Sequence, residues 1–203
     1  MVDINVEWPH NPQTCTKGEK MKVTKAQAQA NRARIVETAS TLFRERGYDG
    51  VGVADLMGAA GLTHGGFYKH FQSKADLMAQ AAQCGIAQTA EKTTGVNRTA
   101  FVKYYLSRKH RDSPGEGCTM AALGTDAARQ SEQVRQTFAD GIEGMLALLA
   151  SDAGGTGTRA GSINTLAQLV GAIVLSRACP EGSPLADEIL RACRAAMLPP
   201  TQA

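Results

Sequence analysis

Two groups of side chains in this chain are of kinds that do chemistry. The first is the run THGGFYKHFQSK from Thr63 to Lys74. It sets hydroxyls, imidazoles and ammonium groups over roughly one short helix, a set of donors that suits phosphate oxygens and base edges. The second is Cys118, which follows the loop HRDSPGEG and opens the small-residue stretch CTMAALGTDAAR. A cysteine in the first turn of a helix faces unpaired N–H groups and the positive end of the helix dipole, which favour the thiolate. Arg108, Lys109, His110 and Arg111 lie just upstream and are expected to add positive charge.

These groups need scaffolding, and the flanking sequence supplies helices. Thr24 and Gln27 form a T-x-x-Q capping box. Ile35, Ala39, Leu42 and Phe43 then repeat at helical spacing up to Gly47, a C-terminal stop. A second helix is predicted over Val53 to Ala60, with Leu56 and Ala60 inward. Gly61 supplies the backbone freedom of the turn. A third helix runs from Thr63 to His70, braced by Phe67 and Phe71, four apart on one face. Ser73 caps a fourth, with Asp76 three residues on and Leu77, Met78, Ala81 and Ala82 as its buried stripe. Two short helices around a tight turn are the layout of a helix-turn-helix, which places its second helix in the major groove of DNA.

In that reading His64 is the exposed base-edge reader, and Thr63 meets a phosphate or a thymine methyl. Tyr68 offers a ring for packing and a hydroxyl for phosphate. Lys69 and His70 lie at the far end near phosphates, and Lys74 clamps a phosphate at a helix N-terminus. Gly65 and Gly66 each cost about 1 kcal/mol relative to Ala in a helix. Such a pair in so short a helix implies close approach to DNA.

The segment Gly47–Lys74 resembles the TetR family of transcriptional repressors. Ala60-Gly61-Leu62-Thr63, Gly66-Phe67-Tyr68, His70-Phe71 and Ser73-Lys74 carry the resemblance. The resemblance implies DNA-reading roles for Thr63, His64, Gly65, Tyr68, Lys69, His70 and Lys74. It also implies a homodimer on a palindromic double-stranded operator and a small-molecule effector bound by the C-terminal half. Two positions depart from the pattern. Val51-Gly52-Val53 has no hydroxyl to cap the second helix. Met57 stands where a small residue is usual, with Gly58 the expected compensation. Gly117-Cys118 before an Ala/Leu helix looks like the subgroup of electrophile- and hypochlorite-responsive repressors, in which modification of the matching cysteine releases DNA.

The remaining sequence is also helical by period. Phe101, Tyr104 and Tyr105 share a helix. Val134, Phe138, Ile142, Met145 and Leu149 form one stripe, and Ile163, Leu166, Val170, Ile173 and Val174 another. Ser183-Pro184 opens the last helix. The fold expected is all-α with about nine helices. Residues 1–20 read as a flexible tail, 21–72 as the helix-turn-helix domain, and 73–203 as an effector-binding and dimerisation domain. Phe101, Tyr104, Tyr105, Met120, Phe138 and Met145 are the candidate pocket lining. Ala160, Ala167 and Gly171 allow close packing of a dimer.

Composition narrows the function classes. Net charge is +3, and Lys17 to Arg46 holds eight Lys/Arg against three acids, so the basic excess flanks the candidate DNA reader. The five cysteines have no CxxC spacing, which argues against a zinc site or disulfide framework and fits a reducing cytoplasm. Cys84, Cys179 and Cys193 fall on apolar stripes and read as core. The stretch Ile163–Ala178 is interrupted by polar residues, and no membrane association is expected. No cofactor or metal motif is present. Two other classes remain open: a small enzyme pairing Cys118 with His110 as base, and an architectural DNA binder without regulation. The enzyme requires an orienting group and an oxyanion site, and neither is legible.

Overall fold

The computed structural model describes residues 24–152 and 158–198, so the tail at 1–20 lies outside the described residues. Within them are nine α-helices and two 3-10 segments, with no strand. The helices are α1 (Lys25–Arg46), α2 (Val53–Ala59), α3 (Lys74–Thr93), α4 (Arg98–Tyr105), α5 (Arg108–Asp112), α6 (Thr119–Ala127), α7 (Glu132–Asp152), α8 (Arg159–Ala178) and α9 (Pro184–Met197). The 3-10 segments are His64–Lys69 and Pro114–Glu116. The third helix read from sequence is therefore 3-10, and the loop HRDSPGEG folds into α5 and a 3-10 turn.

Local chemistry sets the boundaries. The Thr24 hydroxyl accepts the Gln27 N–H at 3.1 Å, although the Gln27 amide turns to Asn31 instead of closing the box. Gly47 ends α1 at φ +74, donating its N–H to the Phe43 carbonyl, and Gly61 makes the turn after α2 at φ +67. With no hydroxyl at the start of α2, the Asp55 carboxylate accepts the Gly52 N–H at 3.1 Å. Ser73, Asn97, Ser107 and Thr158 cap α3, α4, α5 and α8 through side-chain oxygens.

Packing divides into two clusters. One joins Ile35, Phe43, Leu56, Met57, Phe67 and Phe71 to Leu77, Met78 and Ala82 of α3, and reaches Leu123, Val134 and Phe138. The other joins Phe101, Val102 and Tyr105 to Cys118, Met120, Met145, Leu169, Ile173 and Leu190. The long helix α3 packs on both α1 and α7, so the first cluster runs from the N-terminal helices into the start of α7. Cys84 and Cys179 are half-buried, a correction to their reading as core, while Cys193, also half-buried, packs against the second cluster.

Candidate DNA-reading surface and thiol site

Six residues of 3-10 helix have poor hydrogen-bond geometry and no stability of their own. The His64–Lys69 segment is held by Phe67, fully buried, and Phe71, whose ring centroids stand 5.5 Å apart. Buried Met57 sits over the segment, its Cε 3.5 Å from where a Cβ on Gly66 would lie. Met57 thus fills the space beside Gly66, while Gly58 is exposed and unfilled, so Gly58 is not the compensation expected for it. A Cβ on Gly65 would meet nothing within 4 Å within the protein. Neither glycine is required by internal packing.

Thr63, His64, Gly65, Tyr68 and Lys69 are all exposed on this segment, with Tyr68 74% exposed and its ring edge-on to Phe67. His70 is half-buried, and its carbonyl accepts from Arg32 Nε at 3.3 Å. The Arg32 guanidinium also lies 5.1 Å from the Phe71 ring. Arg32 escaped the sequence reading because its partners are 38 residues away. Only the basic excess of α1 hinted at it.

Lys74 has a different position from the one its sequence implied. Its ammonium donates to the Tyr48 carbonyl at 2.6 Å and lies 5.9 Å from the Phe43 ring. It secures the end of α1, with donors left over for another acceptor.

Cys118 is the N-cap residue of α6, one position before the first turn, and is only 3% exposed. Its N–H donates to His110 Nε2 at 3.0 Å, while His110 Nδ1 lies 2.7 Å from the Tyr105 carbonyl. Accepting at one nitrogen and donating at the other fixes a neutral imidazole. Burial also lowers the His110 pKa below its ordinary value, against a raising effect of the Tyr105 carbonyl. Both ring nitrogens of His110 are therefore directed at backbone groups rather than at the Cys118 thiol.

The upstream cations do not gather around the thiol either. Arg108 pairs with Asp187, Arg111 with Asp112 and Asp187, and Lys109 is exposed. The positive groups that interact with Cys118 are Arg44 of α1 and Arg177 of α8. Arg177 donates to the Arg111 and His110 carbonyls at 2.9 and 3.0 Å, closing the end of α5. Burial pushes the Tyr105 phenol well above its usual range, and neighbouring Cys118 adds to this. The buried Tyr105 hydroxyl has no partner other than the neighbouring Cys118 thiol among the described residues.

The six candidate pocket residues separate. Phe101, Tyr104 and Tyr105 line a cavity of about 60 Å³ with His110, Gly117 and Cys118. Met120 and Phe138 line a larger apolar groove of about 480 Å³ between α6, α7 and α8. Met145 faces a third space beside Thr93 and Phe101. Among the described residues no group of His, Cys, Asp and Glu is placed to hold a metal ion, and no helix is long and apolar enough to cross a membrane.

A donor-bearing short helix presented on a braced three-helix unit is the geometry of a helix-turn-helix. Residues 35–81 match the model of the bacterial regulatory proteins, tetR family. That segment of the chain is thus similar to the DNA-binding domain of this family. It is 29% identical over 110 residues to the HTH-type transcriptional repressor DhaR of Mycobacterium sp. (strain GP1), covering 51% of this chain and 56% of that protein. It is 26% identical over 129 residues to the HTH-type transcriptional repressor NemR of Escherichia coli K12, covering 59% and 65%. The matched stretches therefore span 56% and 65% of these relatives, less than two thirds of either. The crystal structure of reduced E. coli NemR superposes with a TM-score of 0.69 at 21% identity, covering 83% of this chain and 95% of that one, so the two share a fold.

Proposed function

We propose that this protein is a homodimeric transcriptional repressor, released from a palindromic operator by an effector acting in its C-terminal half. The observation that carries the reading is the outward row Thr63, His64, Tyr68 and Lys69 over a buried Phe67–Phe71 brace. In this reading Thr63, Tyr68 and Lys69 hold phosphates and Gly65 lets the backbone approach. His64 reads a base edge, and His70 and Lys74 serve the flanking backbone. Residues 21–72 form the DNA-binding unit, and 73–203 the effector and dimer unit.

Dimerisation is assigned to α8 and α9. The outward face of α8 carries Ala160, Ile163, Ala167, Gly171 and Leu175, and Leu185 stands out from α9. Ile163, Leu175 and Leu185 are 46%, 59% and 54% exposed in one chain, a cost that a second copy removes. Two reading heads gain affinity by binding together, and an effector that changes their separation cancels that gain.

Cys118 is the proposed effector site, with thiol-reactive electrophiles as the class. Its buried N-cap position beside a small cavity makes any adduct a steric event. DNA selection from a random library tests both levels, before and after N-ethylmaleimide, beside Cys118→Ser. An enriched palindrome lost on treatment and kept in the variant supports both. A palindrome indifferent to treatment removes the thiol switch alone, and absence of any enriched site removes the repressor.

A further inference from the structure

The Cys118 loop is gripped from two sides. On one, His110 accepts the Cys118 N–H, and Gly117 packs so close that a Cβ there would stand 2.9 Å from His110 Nε2. On the other is Arg44, a buried side chain of α1, thus from the DNA-binding unit. Arg44 Nε and Nη2 donate to the Gly115 carbonyl at 2.9 and 2.5 Å. Its Nη1 donates to the Ser40 hydroxyl at 2.7 Å and reaches the Thr119 hydroxyl at 3.5 Å, and Nη2 also reaches Gln88 at 3.4 Å. One guanidinium therefore touches the residue after Cys118 and the carbonyl three residues before it.

The site is shaped around that guanidinium. A Cβ on Gly85 of α3 would overlap Arg44 Nη1, and one on Gly115 would stand 2.5 Å from Glu45 Oε1. Burial opposes the Arg44 charge and lowers its pKa, so the fork keeps its place only while its acceptors stay put. From Arg44 the path to the DNA face is short. Phe43 stacks edge-on with Tyr48 at 5.0 Å between centroids, the Tyr48 carbonyl accepts Lys74, and Gly47 turns the chain toward α2. A second strut joins the Asp126 carboxylate of α6 to the Tyr48 N–H at 3.2 Å.

We propose that Arg44 is the coupling residue through which the state of Cys118 reaches the DNA-reading helix. This rests on the reading of Cys118 as the effector site. With N-ethylmaleimide as probe, the Cys118 thiol loses its proton to solvent and its sulfur adds to one alkene carbon. A C–S bond forms, the C=C π pair becomes an enolate, and that enolate takes a proton from water. The cavity beside Cys118, about 60 Å³, holds a few waters and not a succinimide ring. The loop must therefore move. Its acceptors for Arg44 move with it, and the buried charge follows them and displaces the end of α1. Lys92, donating to the Glu116 carbonyl at 3.2 Å, ties the same loop to α3 but not to α1.

The test compares wild type with Arg44→Lys and Arg44→Gln. Mass spectrometry confirms that Cys118 is alkylated, and operator affinity is measured before and after. Wild type is expected to lose DNA affinity roughly tenfold or more on alkylation, a usual size for coupling between sites. The variants, alkylated to the same extent, are expected to lose less than about twofold. Variants that lose affinity by the wild-type factor overturn the role of Arg44 and leave the sensor reading standing. Wild type that keeps its affinity when fully alkylated overturns the sensor reading, and this one with it. Should the variants fold poorly, hydrogen exchange on wild type decides. Alkylation must speed exchange at the amides of 43–48, and unchanged exchange there alongside lost DNA binding overturns the proposal.

Discussion

Lys69 and Lys74 read alike in sequence, yet their surroundings predict different consequences of losing them. Lys69 is exposed at the end of the reading segment, and Lys74 is half-buried with its ammonium on the Tyr48 carbonyl at 2.6 Å. Removing one phosphate contact from each protomer of a dimer lowers the slope of log affinity against log salt by about 1.8. Between about 50 and 200 mM salt, Lys69→Ala should thus lose about tenfold less affinity than wild type does. Its folding stability should stay within about 0.5 kcal/mol, as for other exposed surface positions. Lys74→Met removes a charge-assisted hydrogen bond worth about 1.5–3 kcal/mol when buried, and about 1–2 kcal/mol after discounting for its partial exposure. For a chain of this size that is a fall in Tm of about 2–8 °C. Fluorescence anisotropy over a salt series and thermal melts without DNA separate the two effects. If Lys69→Ala melts as low as Lys74→Met, or if Lys74→Met melts with wild type, the division of roles is wrong.

Other perturbations follow from the same geometry. His64→Ala should relax sequence preference, narrowing the affinity gap between operator and scrambled DNA by about 1–3 kcal/mol while leaving the salt slope unchanged. Ile163→Asp, on the exposed face of α8, should shift sedimentation from dimer to monomer and weaken operator binding with it. Gly47→Ala forces a side chain into φ +74 with its Cβ 2.8 Å from the Asp126 carboxylate. It should cost about 1–2 kcal/mol or more in urea unfolding. His110 has a folded pKa below its ordinary value near 6.5, so the unfolded chain binds more protons in the window below that value. This contribution is fully present above about pH 6.5 and is lost as pH falls toward the depressed folded value. His110→Gln should flatten that segment of the stability profile, and an unchanged slope would show that the imidazole is not held neutral.

What sequence reveals here follows the range of the interactions. Caps, positive-φ turns and apolar stripes act within four or five residues, so Thr24, Ser73, Gly47, Gly61 and the Phe67–Phe71 brace were legible from their neighbours. The 3-10 character of the reading segment was not, because its two glycines lower helix propensity without saying which tighter winding replaces it. The candidate pocket was assembled from residue type alone. An aromatic or methionine on an apolar stripe does not say which side of its helix a cavity lies on, and the six side chains fall in three places.

The chemistry around Cys118 shows the limit most sharply. Positive charge near in sequence suggested how the thiol is surrounded. However, Arg108 and Arg111 are drawn off by Asp187, 79 residues from Arg108, and His110 is consumed by backbone hydrogen bonds. The guanidinium that meets the loop comes from Arg44, 71 residues before Gly115 in the chain. No local pattern announces such a pair. An arginine near the end of an amphipathic helix looks like a solvated charge or a partner for the helix dipole. Only the fold, by laying α1 along the 3-10 turn at Pro114–Glu116, turns it into a buried link between a candidate thiol switch and the proposed DNA-binding unit. That arrangement leaves Arg44 no solvent to relax into when its acceptors move. For that reason the end of α1, rather than the reading segment itself, is where an adduct at Cys118 should first be felt.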